Sequence, residues 1–350
     1  MQAGMLFHSR VDGPSVYHDV FSYLVRAQWD ETAFRAALDE ITARHPILRT
    51  AFELVAYSQP LQIVHESVAT PLTVVDLSGL SESDQEAALS RWMDNEAHSP
   101  IEWQSCTPFG VVIHLRDGNR FELGLTFHHA LLDGWSVAEL QRDLLSSYDT
   151  FRRHGAAPFR APLRTSFRNF VALERQAERS ASKVFWRKQL QGLETAHFTG
   201  ERSGSSRLET TWWEFPRDIE APLSEVARNR RVPLKSTLLA AHMVVNARLA
   251  ATDDVVSGLV VNGRPETDDS AHVLGMFLNT VPLRMRLTST DYIGLIDEAF
   301  AAERAVLPHR RVPLRTIQRD IGIGELFQTA FNFVSLDQTR DTADPPRSGP

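Results

Sequence analysis

A short polar loop between a predicted β-hairpin and a predicted helix constrains the fold of this chain more than any other feature. Strand-like runs at 110–116 and 120–127 are separated by Asp117-Gly118-Asn119, a strong turn signal that predicts an antiparallel hairpin. Residues 135–151 then follow a helical hydrophobic period. The order strand, loop, helix predicts an α/β fold in which a rigid sheet holds the loop.

The loop has the sequence HHALLDG and runs from His128 to Gly134, which makes it the densest cluster of catalytic residue types in the chain. A neutral imidazole accepts a proton near neutral pH, so one histidine of the pair is predicted to be a general base. Asp133 is expected to orient that base or brace the loop, and Gly134 to allow a tight entry into the helix. The alternative interpretation is that His128 and His129 form a satisfied polar step at the end of a strand.

Other chemical signatures are weak or missing. Adjacent histidines on a strand point to opposite faces, and no HExxH or similarly spaced ligand set accompanies them, so no metal site is expected. The sequence has no GxSxG elbow and no Walker A loop, and Gly322-Ile323-Gly324 lacks the third glycine of a dinucleotide fingerprint. These patterns disfavour serine hydrolases, nucleoside triphosphatases and Rossmann enzymes.

Charge and cysteine content narrow the range of partners. Lys and Arg total 37 against 44 Asp and Glu, a net charge of −7 that lacks the basic footprint of a nucleic-acid binder. The single cysteine, Cys106, excludes an intramolecular disulfide framework and fits a reducing cytosol, so a cytoplasmic location is expected. The most apolar stretch, 238–245, is far shorter than the roughly 18–20 residues that span a bilayer, so no membrane partner is expected.

The length of 350 residues predicts either two lobes or one large domain. Residues 153–165 are rich in Pro, Ala and Gly and are predicted to link an N-terminal lobe at 1–152 to a C-terminal lobe at 166–336. The polar, Pro-rich tail at 337–350 is predicted to be disordered. Outside the hairpin region, sequence patterns predict a helix capped by Asp30 that ends near His45-Pro46, a helix from a capping box at Ser83 to about Ala97, helices at 166–193, 218–231, 234–250 and 291–306, and strands at 61–67, 71–77, 207–215, 255–262, 281–287 and 327–335.

The His loop and six further segments resemble the condensation domains of nonribosomal peptide synthetases. The hallmark of that family is HHxxxDG, which His128–Gly134 matches in full. Because the segments follow the family's order over almost the whole chain, the resemblance is far more specific than the loop alone. The further segments are Gln2–Ser9 (QAGMLFHS), Ala43–Phe52 (ARHPILRTAF), Val261–Pro265 (VNGRP), Leu274–Arg284 (LGMFLNTVPLR), His309–Leu314 (HRRVPL) and Phe327–Phe333 (FQTAFNF).

This resemblance implies two chloramphenicol-acetyltransferase-like lobes in a V-shaped pseudo-dimer, an α/β fold of the α+β sandwich type. It implies amide-bond formation between a donor acyl or peptidyl thioester and an acceptor aminoacyl thioester, both on phosphopantetheinyl carrier proteins, in the biosynthesis of antibiotics and other secondary metabolites. The implied partners are an upstream donor carrier protein, a downstream acceptor carrier protein and an adjacent adenylation domain. No bound cofactor is expected, because phosphopantetheine arrives with the substrates.

The resemblance also implies roles for individual residues. His129 matches the family's catalytic histidine, and His128 is expected to be structural. Asp133 is expected to brace the loop by pairing with an arginine, for which Arg49 and Arg264 are both candidates.

Three residues near the matched motifs are expected to position substrate or support the site. Asn279 either hydrogen-bonds a thioester arm or satisfies backbone groups. Trp135 is expected to pack, while Ser136 either caps the helix or polarises the reaction intermediate.

Three other functions fit the same loop: an acyltransferase that uses coenzyme A or forms an ester, an epimerisation domain, and a catalytically silent recruitment domain. The intact His129 and Asp133 favour an enzyme, since a binding module needs no positioned base. Domains of the family are longer than this chain, so elements that complete the second lobe are expected to be missing.

Overall fold

The computed structural model divides the chain into two compact units. It describes residues 2–12, 16–100, 103, 108–179, 181–194, 210–334 and 347–348. The first unit comprises Met1–Val171, Arg264–Phe277 and Ser335–Pro350, and the second comprises Ala172–Gly263 and Leu278–Val334. In the described part of the chain, no helix combines the length and the apolar character needed to cross a bilayer.

Both helices and strands occur in each unit, so the fold is of the mixed α/β class that the sequence predicts. The helices are α1 (Gln2–Asp12), α2 (Glu31–Arg44), α3 (Glu82–Ala97), α4 (Gly134–His154), α5 (Phe167–Arg179), α6 (Ser182–Gln189), α7 (Arg217–Arg230), α8 (Leu234–Ala250), α9 (Tyr292–Val306) and α10 (Leu314–Ile321). The strands are β1 (His18–Val25), β2 (Thr50–Glu53), β3 (Leu61–Val64), β4 (Leu72–Asp76), β5 (Phe109–Asp117), β6 (Arg120–His128), β7 (Asp254–Asn262), β8 (Leu278–Arg286), β9 (Ala330–Phe331) and β10 (Arg347–Ser348).

A five-stranded sheet with the order β10-β1-β6-β5-β4 forms the centre of the first unit. β5 and β6 form the predicted antiparallel hairpin, β1 pairs antiparallel with β6, and β4 runs parallel to β5. On one face, Phe121 packs edge to face against Phe34 of α2 and Tyr148 of α4. On the other face, Trp92 of α3 lies so close to Gly124 that a Cβ there would be 2.5 Å from the ring. Helices therefore cover both faces of the sheet that ends at the HHALLDG loop.

The second unit is built on a three-stranded sheet with the order β8-β7-β9. β7 runs antiparallel to β8 and parallel to β9. Leu259 and Val281 of this sheet are buried together with Met243 of α8 and Ile296 of α9. The core of this unit thus lies between its sheet and the two helices that follow the predicted periods at 234–250 and 291–306.

Helix capping follows local sequence signals. Asp30 is confirmed as the cap of α2, because its carboxylate accepts the backbone N–H of Ala33. The cap of α3 is Ser81 rather than the predicted Ser83, and the Ser81 hydroxyl accepts the N–H of Asp84. Serine followed three residues later by an acidic residue fits the capping pattern at this earlier position.

Two predictions from periodicity are wrong. The helix predicted over 166–193 is two helices, α5 and α6. Of the strand predicted over 207–215, residues 210–215 form no strand and residues 207–209 lie outside the described residues. Trp212 and Trp213 in this segment are both 88% exposed. Aromatic residues favour strands only where a partner strand and a packed face are present, which periodicity does not reveal.

The two units differ from the predicted lobes in how the chain is divided. The first unit continues past the predicted linker and also takes in Arg264–Phe277, a segment distant in sequence. The Asp269 carboxylate accepts the backbone N–H groups of Arg164 at 2.6 Å and Thr165 at 2.8 Å, which ties the predicted linker to this segment. From the tail predicted to be disordered, only Arg347–Ser348 is described, as a strand paired with β1, and the remainder lies outside the described residues.

Candidate active site

The HHALLDG loop spans the few residues between the end of β6 and the start of α4. His128 is the last residue of β6, and its backbone N–H donates to the carbonyl of Pro108 at 3.1 Å. Its own carbonyl accepts the N–H of Leu131 at 2.8 Å. At the other end, the side chain of Asp133 caps α4 by accepting the Ser136 N–H at 2.8 Å. The loop is therefore hydrogen-bonded at both ends, and these bonds hold the backbone of His129 in a fixed position.

His129 is held at two points, by Tyr17 just before β1 and by Asp19 near the start of β1. Its backbone N–H donates to the carbonyl of Tyr17 at 2.7 Å. Its Nδ1 lies 2.6 Å from Oδ2 of Asp19, and the two side chains remain 29% and 27% exposed. Among the hydrogen bonds between described residues, none involves Nε2 of His129. The ring is thus fixed through Nδ1, while Nε2 is the atom that can meet a substrate.

Opposing effects act on the pKa of His129. Burial lowers it, whereas the hydrogen bond and negative charge of Asp19, together with the charge of Asp133, raise it. The net result is a pKa above the ordinary histidine value of 6.5. A carboxylate bonded to one ring nitrogen makes the other a stronger base, as proton abstraction from an amine requires.

His128 sits in a different environment although it is the next residue. It is fully buried, its Nδ1 accepts the N–H of Ala130 at 3.0 Å, and its Nε2 lies 2.9 Å from the hydroxyl of Ser9. Burial lowers the pKa of His128 to about 4, with smaller contributions from the charges of His129 and His18. Because both nitrogens are engaged and the ring is neutral, the geometry supports a structural role.

Asp133 is the hub of a buried hydrogen-bond network. Besides capping α4, its Oδ2 accepts the backbone N–H of Phe277 at 3.0 Å, and its Oδ1 lies 3.2 Å from Nη2 of Arg264. The side chain of Asp133 is 1% exposed and that of Arg264 is 9% exposed. Arg264 also donates to the carbonyls of Ser270 and Val273, and its guanidinium lies 4.0 Å from the centre of the Phe277 ring. Asp133 therefore braces the loop against the Arg264–Phe277 segment.

The two arginine candidates have different partners. Arg264 is the one that pairs with Asp133. Arg49 instead donates to the backbone carbonyls of Thr42, His65 and Glu66, which join the end of α2 to the end of β3. The structure thus assigns Arg49 to local support and not to the His loop.

Ser136, Trp135 and Gly134 support the start of α4. The Ser136 hydroxyl is fully buried, accepts from Arg264 and the Gly275 N–H, and donates to the Gly275 carbonyl at 2.8 Å. The cap of α4 is therefore Asp133 and not Ser136. Because the Ser136 hydroxyl already donates its hydrogen to Gly275, it has none to donate to a reaction intermediate. Trp135 donates from Nε1 to Ala271 O at 2.9 Å and is 42% exposed. Gly134, which was expected to allow a tight entry into the helix, has a φ outside the left-handed region, and an added Cβ would meet no atom within 4 Å.

Asn279 belongs to the second unit and lies on β8. Its Nδ2 donates to the carbonyls of Arg310 at 2.8 Å and Val312 at 2.7 Å, and the side chain is 3% exposed. Of the two roles expected for this amide, the structure shows the satisfaction of backbone groups.

Within the described ranges, no three His, Cys, Asp or Glu side chains cluster in a way that could hold an ion. Cys106 lies outside the described residues.

Asp19 is the site residue that sequence reasoning missed. It lies 110 positions from His129, in a strand that the sequence patterns did not predict. The antiparallel register of β1 and β6 places Asp19 opposite Phe127 and His18 opposite His128, at the end of β6 where the loop starts. An acidic residue near the start of a strand is too common to be a signal, so only the pairing of the two strands identifies it.

Comparisons with known proteins identify the family of the chain. The sequence profile of the family described as Condensation domain matches residues 1–348. The chain is 36% identical over 347 residues to AMB antimetabolite synthetase AmbE of Pseudomonas aeruginosa, covering 97% of this chain and 16% of that protein. It is 26% identical over 326 residues to surfactin synthase subunit 3 of Bacillus subtilis, covering 91% of this chain and 25% of that protein. The chain thus spans a quarter or less of the length of these two relatives.

Solved structures with the same fold have low sequence identity to this chain. The first condensation domain of the calcium-dependent antibiotic synthetase aligns with a TM-score of 0.77 at 20% identity, over 99% of this chain and 83% of that one. The X-domain from teicoplanin biosynthesis aligns with a TM-score of 0.82 at 23% identity, over 100% of this chain and 80% of that one. These alignments establish the fold of the chain.

Proposed function

Because this chain belongs to the condensation-domain family of nonribosomal peptide synthetases, we propose that it catalyses amide-bond formation. The donor is an acyl or peptidyl thioester and the acceptor an aminoacyl thioester, each on the phosphopantetheine arm of a carrier protein. The observation that supports catalysis is the state of His129, which is held through Nδ1 and raised in pKa while Nε2 is left for a substrate. His128 is instead buried, neutral and bonded at both nitrogens.

In the proposed reaction, the amine of the acceptor attacks the carbonyl carbon of the donor thioester. A C–N bond forms, the C–S bond breaks, and the donor's arm leaves as a thiolate. Nε2 of His129 takes the proton that the amine loses and passes it to the thiolate, so the histidine ends in its starting state. Asp133, Arg264 and Ser136 keep the loop in place and do not touch the reacting atoms.

The proposed partners follow from the substrates. An upstream carrier protein delivers the donor, a downstream carrier protein delivers the acceptor, and an adjacent adenylation domain loads the amino acid. The matched relatives are synthetases several times longer than this chain, which supports partners of this kind. Phosphopantetheine enters as part of each substrate, so the chain itself needs no resident cofactor.

The test is an intact-mass assay with donor and acceptor amino acids loaded on separate carrier proteins. Wild-type protein should place a dipeptide on the acceptor carrier. The His129→Ala variant should lose roughly 10²- to 10⁴-fold in turnover, the usual contribution of a general base, at an unchanged melting temperature. His154→Ala, at the exposed end of α4, is the matched control and should keep full activity.

Three outcomes would contradict the proposal. Full activity in a folded His129→Ala protein would show that the assigned base is wrong. Absence of product from a well-folded wild type over a broad substrate panel would contradict the enzyme reading and favour the silent recruitment domain of the same fold. Transfer from free coenzyme A thioesters without a carrier protein would instead indicate the coenzyme A-dependent alternative.

A further inference from the structure

Tyr17, just before β1, and Asp19, near its start, form a second support for the His loop. Tyr17 and Asp19 contact His129 through the backbone and the side chain respectively, at 2.7 Å and 2.6 Å. β1 is held in place along its whole length by pairing with β6 from His18↔His128 to Val25↔Phe121. The position of Asp19 is therefore set by the sheet and does not depend on a free loop.

Tyr17 has an unusual backbone conformation at this point. Its φ is 68°, in the left-handed region, which is unfavourable for a residue with a side chain. Strained residues persist where surrounding contacts hold them, and they cluster at functional sites. In this conformation the Tyr17 carbonyl accepts the His129 N–H, and the next residues enter β1 so that Asp19 meets the imidazole. The left-handed backbone of Tyr17 is thus found at the point where the chain that leads into β1 contacts the loop.

We propose that Asp19 is a positioning residue for His129, which keeps the proton of the neutral ring on Nδ1 and offsets the positive charge that forms when Nε2 accepts a proton. A carboxylate accepts hydrogen bonds and cannot donate one when ionised, so the 2.6 Å contact requires the hydrogen on Nδ1. Nε2 then carries the lone pair. This role rests on the proposed function only where it refers to catalysis, because the tautomer is a property of the free protein.

The charges that face His129 come from three elements. β1 contributes Asp19, the loop contributes Asp133, and β6 contributes His128, which is itself paired with His18 of β1. Burial depresses the pKa of both His18 and His128, so near neutral pH they are uncharged neighbours. Asp19 is the only one of the two facing carboxylates that is hydrogen-bonded to the ring. Without Asp19, only the charge of Asp133 would counteract the lowering effect of burial on the pKa of His129. The pKa of His129 should therefore fall.

The test compares Asp19→Asn and Asp19→Glu with wild type by ¹⁵N-histidine NMR titration. In wild type, the His129 ring should carry its hydrogen on Nδ1 and titrate above 6.5. Asp19→Asn should lower the pKa of His129 and populate the other tautomer, and Asp19→Glu should restore part of the wild-type signature. Asp39→Asn, at an exposed position on α2, is the matched control and should leave the His129 signals unchanged.

The rate of dipeptide formation provides the second readout. Asp19→Asn should lower kcat roughly 10- to 10³-fold and move the acidic limb of its pH profile to lower pH, while KM changes little. A purely structural role for Asp19 would lower the amount of folded protein without moving that limb. The inference is overturned if His129 carries its hydrogen on Nε2 in wild type, or if Asp19→Asn leaves its tautomer and pKa unchanged.

The NMR result separates this inference from the proposed function. A wild type that makes no dipeptide but shows Nδ1-protonated His129, altered by Asp19→Asn, would refute the proposed reaction and leave the role of Asp19 standing. If Asp19→Asn does not fold, the wild-type tautomer and the Asp19→Glu titration still decide the question.

Discussion

Removing one partner from the buried pair between Asp133 and Arg264 should destabilise the protein more than the loss of a helix cap does. Asp133→Ala removes an ion pair at 3.2 Å between side chains that are 1% and 9% exposed. Loss of one partner from a buried pair costs about 3–5 kcal/mol, because the other charge stays buried. The same change removes the cap of α4, typically worth about 1 kcal/mol, and leaves the Phe277 N–H without its acceptor. Arg264 keeps two carbonyl partners and Ser136, so these costs do not add in full.

We expect Asp133→Ala to lower the free energy of unfolding by about 3–5 kcal/mol. Asp30→Ala is the matched control, because Asp30 caps α2 in the same way and should cost only about 1 kcal/mol. Equilibrium urea unfolding, followed by far-ultraviolet circular dichroism, measures both changes. The reasoning is refuted if Asp133→Ala costs no more than Asp30→Ala, since the ion pair would then add nothing beyond the cap.

Three further predictions concern stability. Burial lowers the pKa of His45 to about 3 and of His114 and His128 to about 4, whereas the unfolded chain protonates these rings near 6.5. The contribution of these rings to the free energy of unfolding should be fully present above pH 6.5 and should fall by roughly 3 kcal/mol per ring on acidification toward pH 4. Urea unfolding midpoints that do not drop between pH 6.5 and pH 4 would contradict this prediction. Gly275→Ala should cost roughly 1–3 kcal/mol in urea unfolding, because its Cβ would lie 2.1 Å from the ring of Phe167. Gly134→Ala should unfold at an equal or slightly higher temperature by differential scanning calorimetry, since nothing lies within 4 Å of its Cβ and alanine favours the helix.

Local signals account for the parts of the fold that the sequence predicts well. The Asp117-Gly118-Asn119 turn lies between β5 and β6, and the periods at 234–250 and 291–306 become α8 and α9 almost to the residue. These features depend on turn chemistry and on hydrophobic spacing within one segment, both of which are written in neighbouring residues. The cap of α2 at Asp30 belongs to the same class.

Predictions failed where an element needs a distant partner. The aromatic run at 210–215 has strand-like composition but forms no strand, and β1 forms although no local pattern predicts it. Hydrophobic period tells which face of an element is apolar and does not tell which element covers it. The assignment of Arg264–Phe277 to the first unit has the same cause.

The sequence alone determined the HHALLDG loop, its place between a hairpin and a helix, and the family to which the chain belongs. Only the tertiary structure decided that His128 is buried and neutral while His129 meets Asp19, and that Arg264 rather than Arg49 pairs with Asp133. These contacts join residues 110 and 131 positions apart. Their existence depends on strand order, register and burial, which arise from the packing of the whole unit and leave no local trace in the chain.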